Sequence, residues 1–239
     1  MELSQKEIDL FRHNGFIRLP TDVPESQVEA LKAAALKDIA GEVEPISRSA
    51  TGQAQRLSEL WDRGGVFRET IQSDEILDPL ASLLGPNIEF QLNRHNHFYL
   101  REKGSTASLE VHRDVRQWSR TIVTVLIYLE TTNLENGCTR LVPGSHLLPS
   151  FSDRGDKETL RVVMSQAVPV PMMAGGMIAM DGMTLHAAGE NQTDQTRMSM
   201  TLGYHSVDEF SHSVGERRVV VRGEREYRGN DRGRTSPPS

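Results

Sequence analysis

The texture of the chain changes near residue 87, and that change limits the possible folds more than any other feature. Before it, apolar residues recur at helical spacing. Ser4-Gln5-Lys6-Glu7 matches a capping box, Ile8, Leu10 and Phe11 follow, and Gly15 closes the helix. Phe16–Leu19 reads as a short strand stopped by Pro20. A second helix runs from Pro24 through Val28, Leu31, Ala35 and Leu36 to Gly41, and a third covers Ile76–Leu84 before Gly85-Pro86. After residue 87 the chain becomes short strands between turns. The candidates are Ile88–Leu100, Thr121–Leu129, Thr139–Val142, Arg161–Val170, Met177–Met180 and Met198–His205. Asn136-Gly137, Pro143-Gly144 and Gly175-Gly176 supply turns. Helices first and strands afterwards predict an α+β domain, a jelly-roll sandwich backed by N-terminal helices.

One domain over residues 1–222 is expected, mainly helical over 1–86 and built of jelly-roll strands over 87–222. Residues 42–65 are polar, hold a single large aromatic, Trp61, and read as a long loop, the candidate lid of the domain. The alternative is a surface loop pinned by Trp61. The stretch 223–239, with Arg225, Arg228, Arg232 and Arg234 among Gly, Ser and Pro, reads as a disordered tail. The chain carries 27 Lys+Arg against 33 Asp+Glu, a formal charge of -6, which argues against nucleic-acid binding through a basic surface. Mean hydropathy is -0.46 and no apolar run reaches the length of a membrane span, so no membrane partner is expected. The N-terminal residues lack the basic and apolar regions of a signal peptide, and a cytoplasmic location is expected. A single cysteine, Cys138, leaves no internal disulfide and no Cys-rich metal site. The sequence leaves the oligomeric state open.

Of the eight histidines, one begins a His-x-Asp, His112-Arg113-Asp114. Alone this triplet is weak, since surface turns produce it often. In extended chain, however, residues i and i+2 point the same way, so an imidazole and a carboxylate meet at one point. That pair suits Fe(II), and a second histidine would complete a facial triad with open positions. His186 is the best second histidine, because it follows a buried strand and turn over 176–182. Eleven residues on, Arg197, Ser199 and Thr201 share one face of a strand, with Met198 and Met200 on the other. A polar stripe opposite an apolar one predicts a sandwich interior that is partly a ligand pocket. An arginine at its inner end would be an unpaired buried charge unless a ligand carboxylate met it.

These residues in this order, with Asn136-Gly137-Cys138, Pro143-Gly144-Ser145-His146 and the opening Phe11-Arg12-His13-Asn14-Gly15-Phe16, resemble the phytanoyl-CoA dioxygenase family over about residues 4–206. The resemblance implies a cupin-like double-stranded β-helix that uses Fe(II), with 2-oxoglutarate and O2 as cosubstrates. By it His112, Asp114 and His186 bind iron, and Arg197 holds the distal carboxylate of 2-oxoglutarate. Family chemistry converts 2-oxoglutarate to succinate and CO2 and attacks an unactivated C–H bond. Members that halogenate replace the carboxylate ligand, so the retained Asp114 implies hydroxylation, desaturation, epimerisation or oxidative ring closure. His95, His97 and Tyr99, on the strand before His112, are candidates for cosubstrate or substrate contact, as are Thr124 and Ser199. This chain has histidines where related enzymes place Gln and Arg, and hydrogen-bonded core histidines are the plain alternative.

The expected partner is a small-molecule substrate. No basic cluster suits a coenzyme A tail, and the size and layout are similar to bacterial tailoring oxygenases of antibiotic pathways. A small polar, sugar-type natural product is therefore the expected substrate, with amino acids and fatty acyl groups left open. Two other classes compete: a metal-dependent cupin that does not use 2-oxoglutarate, and a ligand-binding jelly roll without chemistry. Arg197 argues against the first and an intact His112/Asp114/His186 set against the second. Cys138 has no paired base in sequence to make it a nucleophile.

Overall fold

The computed structural model of the protein describes residues 1–104, 111–114, 122–148, 157–207 and 217–225. The helical part begins with α1 (Gln5–Asn14), and both halves of its capping box at Ser4 and Glu7 form. Strand β1 (Phe16–Arg18) follows directly because Gly15 takes a left-handed φ of 83°. Next come α2 (Glu25–Ala40), β2 (Ile46–Arg48), β3 (Ala54–Ser58), α3 (Leu60–Arg63), α4 (Gly65–Ile71) and α5 (Asp74–Leu84). The second part holds β4 (Ile88–Gln91), β5 (Asn96–Arg101), β6 (Ile122–Tyr128), β7 (Thr139–Leu141), α6 (Lys157–Met164) and β8 (Val168–Val170). It ends with β9 (Met177–Asp181), β10 (His186–Ala188), β11 (Arg197–Ser206) and β12 (Arg218–Arg222).

Two antiparallel sheets face each other. The large one runs β1-β9-β6-β11-β5-β3-β2, with β4 beside β11 and β12 beside β4, and the small one runs β10-β7-β8. An isolated bridge between His112 and His186 adds the His112 segment to the small sheet. Helices cover the outer face of the large sheet. Phe11, Leu31, Ile71 and Leu80 there meet Leu57, Phe90, Phe98, Met200 and Tyr204 in one buried core. A second cluster, Tyr128, Leu141, Met172, Ile178 and Met180, lies between the sheets and leaves the rest of the interior open to polar side chains. This is the expected double-stranded β-helix with helices behind it. Among the described residues no helix is long and apolar enough to cross a membrane.

Three expectations need correction. Residues 42–65 are not a long loop. β2 and β3 form a hairpin, and β3 joins the large sheet through β5 with Arg56 opposite Tyr99 and Ser58 opposite His97. Trp61 stacks on Phe90 at 5.9 Å, and Arg63 binds Asp38 and the carbonyls of Val43, Pro45 and Ser58. In the hairpin Leu57 is core, Arg56 and Ser58 are half-buried, and Ser47 and Arg48 are exposed, so there is little apolar alternation to read. Arg161–Val170 is not one strand either: α6 runs to Met164 and only Val168–Val170 pairs with β7. Finally, Ile88–Leu100 is broken in two, for a reason that bears on the site. Of the stretch read as a disordered tail, 226–239 lie outside the described residues, while the amide of Glu224 is bonded to Asn87.

Candidate metal and cosubstrate site

β4 and β5 lie along the same edge of β11. Gln91 would fall opposite Gly203 and Asn96 falls opposite Leu202, so residues 92–95 are an excursion from a single ladder. Gly203 permits it: a Cβ there would meet the Cβ of His95 at 2.9 Å, and the Gly203 amide donates to the His95 carbonyl at 2.7 Å. His95 takes a φ of 49° in this turn. Its Nε2 thereby reaches 3.0 Å from Asp114 Oδ1.

Asp114 sits at the centre. The same Oδ1 lies 4.0 Å from His112 Nε2 and 3.9 Å from His186 Nε2. One ligand atom from each of the three lies within 4.8 Å of the other two, a separation suited to a single ion between them. The backbones of His112 and His186 exchange two hydrogen bonds of 3.1 Å, which sets the imidazoles side by side with centroids 4.3 Å apart. His186 Nδ1 is 2.9 Å from the Thr184 carbonyl. A carbonyl can only accept, so Nδ1 carries the proton and the Nε2 lone pair faces the ligand point. Burial pushes the His186 pKa below the ordinary histidine value, which keeps the ring neutral and able to ligate.

Thr124, on β6, donates to Asp114 Oδ2 at 2.6 Å, and the Arg94 guanidinium binds the Asp114 carbonyl. Burial raises the Asp114 pKa, but the neighbouring His95 and His186 and the bonds from His95 and Thr124 outweigh it and hold the carboxyl well below the usual range. Oδ2 is thus occupied by threonine, while Oδ1 faces the two histidines.

The cavity beside these groups measures about 250 Å³. Alternation brings Arg197, Ser199 and Thr201 into it from β11, Leu126 and Tyr128 from β6, and His97, Tyr99 and Arg101 from β5. Met198 and Met200 point into the core behind the sheet. Arg197 is 3% exposed, and its Nε and Nη1 have no hydrogen-bond partner. A buried guanidinium with two unsatisfied N–H groups fits an incoming carboxylate. Ser199, and Tyr128 with Thr139 (hydroxyls 2.7 Å apart), stand around it. Asp, His, His and a facing arginine therefore fit Fe(II) and 2-oxoglutarate in one cavity.

The remaining candidates divide. Ser199, His97 and Tyr99 line the cavity. Thr124 was expected to touch the cosubstrate, but its hydroxyl is taken up by Asp114. His95 holds the same carboxylate. His146, away from the cavity, hydrogen-bonds the Arg12 carbonyl at 3.0 Å. Sequence reasoning did not single out Arg94, Leu126, Tyr128 or Thr139. Extending the alternation from Thr124 gives Leu126 and Tyr128. No such signal exists for Arg94, which sits in the four-residue excursion over 92–95.

Comparison with known proteins agrees with this geometry. The sequence profile of phytanoyl-CoA dioxygenase (PhyH) matches residues 11–199. Dioxygenase aneA of Aspergillus aculeatus is 29% identical over 173 residues, 66% of this chain and 55% of that protein. The multifunctional dioxygenase prhA of Penicillium brasilianum is 26% identical over 163 residues, 62% of this chain and 54% of that protein. The chain thus spans about half the length of these curated relatives. Among solved structures, SnoK, a non-heme alpha ketoglutarate dependent carbocyclase from nogalamycin biosynthesis, superposes with a TM-score of 0.69 at 25% identity, covering 86% of this chain and 85% of that one. EctD from S. alaskensis with bound Fe shares the fold, with a TM-score of 0.73 at 20% identity over 87% of this chain and 78% of that one. With the profile matching most of its length and the His-Asp-His ligand set in place, the chain belongs to the phytanoyl-CoA dioxygenase family.

Proposed function

We propose that this protein is a non-haem Fe(II)- and 2-oxoglutarate-dependent oxygenase that hydroxylates, or closes a ring on, a small polar natural product. One observation carries the reading: the three metal ligands and the unsatisfied Arg197 guanidinium open into the same cavity. The names of its relatives support the substrate class, since SnoK is described as acting in nogalamycin biosynthesis.

Iron with 2-oxoglutarate and O2 supplies oxidative decarboxylation to succinate and CO2 together with attack on an unactivated C–H bond. The chain's own residues do the rest. His112, Asp114 and His186 would hold the metal. Thr124 and His95 keep the carboxylate turned so that Oδ1 ligates, and the Thr184 carbonyl fixes the tautomer of His186. Arg197 and the Ser199 hydroxyl orient the cosubstrate from its far end. Leu126 and Ala188 give the cavity apolar wall, which limits water near the reacting groups.

The test is an anaerobic titration with Fe(II) and 2-oxoglutarate, followed by a succinate assay after oxygen is admitted. A visible absorption band that needs both additions, and slow succinate release even without primary substrate, are expected. His112→Ala, Asp114→Ala and His186→Ala should each abolish both. A protein that binds iron but neither perturbs its spectrum nor consumes 2-oxoglutarate is not this enzyme.

A further inference from the structure

We propose that the β5–β3 wall of the cavity, where Arg56 adjoins His97 and Tyr99, seats a carboxylate group of the primary substrate. The proposal rests on the oxygenase reading above and specifies the chemistry of its unassigned ligand.

The placement follows from register. In an antiparallel pair, residues opposite each other project from the same face. Arg56 lies opposite Tyr99 and Ser58 opposite His97, so the cavity face of β5 continues sideways onto β3. Arg56 is half-buried there, and its Nε is enclosed without a hydrogen-bond partner. Among the described residues it has no ion-pair partner, whereas Arg63 in the same region is bonded to Asp38 and three carbonyls. An inward guanidinium left in this state costs stability unless a ligand meets it. His97 Nδ1 is enclosed without a partner as well. Burial, and then the nearby Arg56 guanidinium, push the His97 pKa down to about 4, so at neutral pH the ring is an uncharged hydrogen-bonding group beside a cation.

Charge bookkeeping points the same way. The two positive charges of iron and that of Arg197 are balanced by Asp114 and the two carboxylates of 2-oxoglutarate. The loaded centre is then neutral, and Arg56 is left over. Asp114 is the single carboxylate among the described lining residues. A neutral or cationic substrate would leave Arg56 without a counter-charge among the described residues. The cavity of about 250 Å³ must also take the cosubstrate, so the anionic group is small, and the planar oxygens of a carboxylate match a guanidinium fork.

The experiment is calorimetric titration of the anaerobic protein, already loaded with Fe(II) and 2-oxoglutarate, with matched acids and amides. The probes are phenylacetate against phenylacetamide and cyclohexanecarboxylate against its carboxamide. At least one acid should bind tenfold or more tighter than its amide. Arg56→Gln should remove that preference by tenfold or more while 2-oxoglutarate affinity stays within twofold. If Arg56→Gln does not fold, Arg56→Lys, which keeps the charge and loses the fork, should lower the preference at least threefold. Equal binding of acids and amides, a preference that survives the Arg56 variants, or acids that displace 2-oxoglutarate would each overturn the proposal. Failure to take up iron and 2-oxoglutarate together, seen before any probe is added, would instead overturn the oxygenase reading and the charge count with it.

Discussion

Replacing Arg197 with methionine should leave the ligand-free protein at least as stable while removing most of the stabilisation that the cosubstrate gives. Arg197 is 3% exposed, and Nε and Nη1 lack partners in the protein alone. Each unsatisfied buried polar atom costs about 1–3 kcal/mol, and methionine keeps most of the packing of the arginine stem. The ligand-free variant should therefore be as stable as the parent or more stable by up to about 3 kcal/mol. At about 2–4 °C per kcal/mol for a chain of this length, its Tm should rise by up to ~10 °C. In the loaded state, loss of a buried, hydrogen-bonded charge pair costs about 2–5 kcal/mol, which is roughly 30-fold or more in 2-oxoglutarate affinity.

Thermal unfolding under anaerobic Fe(II) separates the two effects. At 2-oxoglutarate a hundredfold above its parental Kd, the parent should gain about 2.7 kcal/mol, or about 5–10 °C. With affinity down 30-fold, Arg197→Met should gain less than about 1 kcal/mol at that concentration. The gap between the two unfolding curves should thus shift by about 2 kcal/mol in the parent's favour when cosubstrate is added. If the ligand-free variant is clearly less stable and 2-oxoglutarate still protects it fully, Arg197 is a structural cation. Arg101, which lies opposite it in the ladder, would then hold the carboxylate.

Three shorter predictions test the surroundings. Thr124→Val removes the 2.6 Å bond to Asp114 Oδ2 and should weaken Fe(II) affinity about 10–100-fold by metal titration, with 2-oxoglutarate binding to the iron-loaded protein little changed. The His97 pKa of about 4 in the folded protein lies below the unfolded value of 6.5, so the unfolded chain gains its proton first as pH falls; stability should drop by up to about 3 kcal/mol between pH 6.5 and 4 in denaturant titrations, and His97→Gln should flatten that slope. Amides of β3 that pair with β5 should exchange slowly in the free protein, whereas fast exchange there that slows only with cosubstrate and substrate together would restore the lid expected from sequence.

The legibility of the sequence followed from where a period survives. β11 was readable because one face is core and the other is cavity, so Arg197, Ser199 and Thr201 alternate with buried methionines. α1 was readable because its cap and its closing glycine are local devices. β10 is three residues long and β12 five, too short to show alternation against a background of turns. The β2–β3 hairpin was missed for a different reason. Its polar residues are split between exposed Ser47 and Arg48 on β2 and half-buried Arg56 and Ser58 on β3, so its pattern mimics that of a solvated loop.

The interrupted edge beside β11 shows how the site depends on a residue with no chemistry of its own. An unbroken strand over 88–100 would place His95 in the ladder, with its ring fixed by the pleat. Gly203, lacking a side chain on the cavity face, leaves room for the excursion that swings His95 onto Asp114. A Cβ at that position would clash with the His95 Cβ and expel the turn, although every metal ligand would remain. The ligand set could be read from three residues, whereas the orientation of its carboxylate depends on contacts between β11 and a turn about a hundred positions earlier. Such long-range coincidences of a glycine and a strained histidine have no local sequence signature, so the motif emerges from sequence and the shell that holds it in place does not.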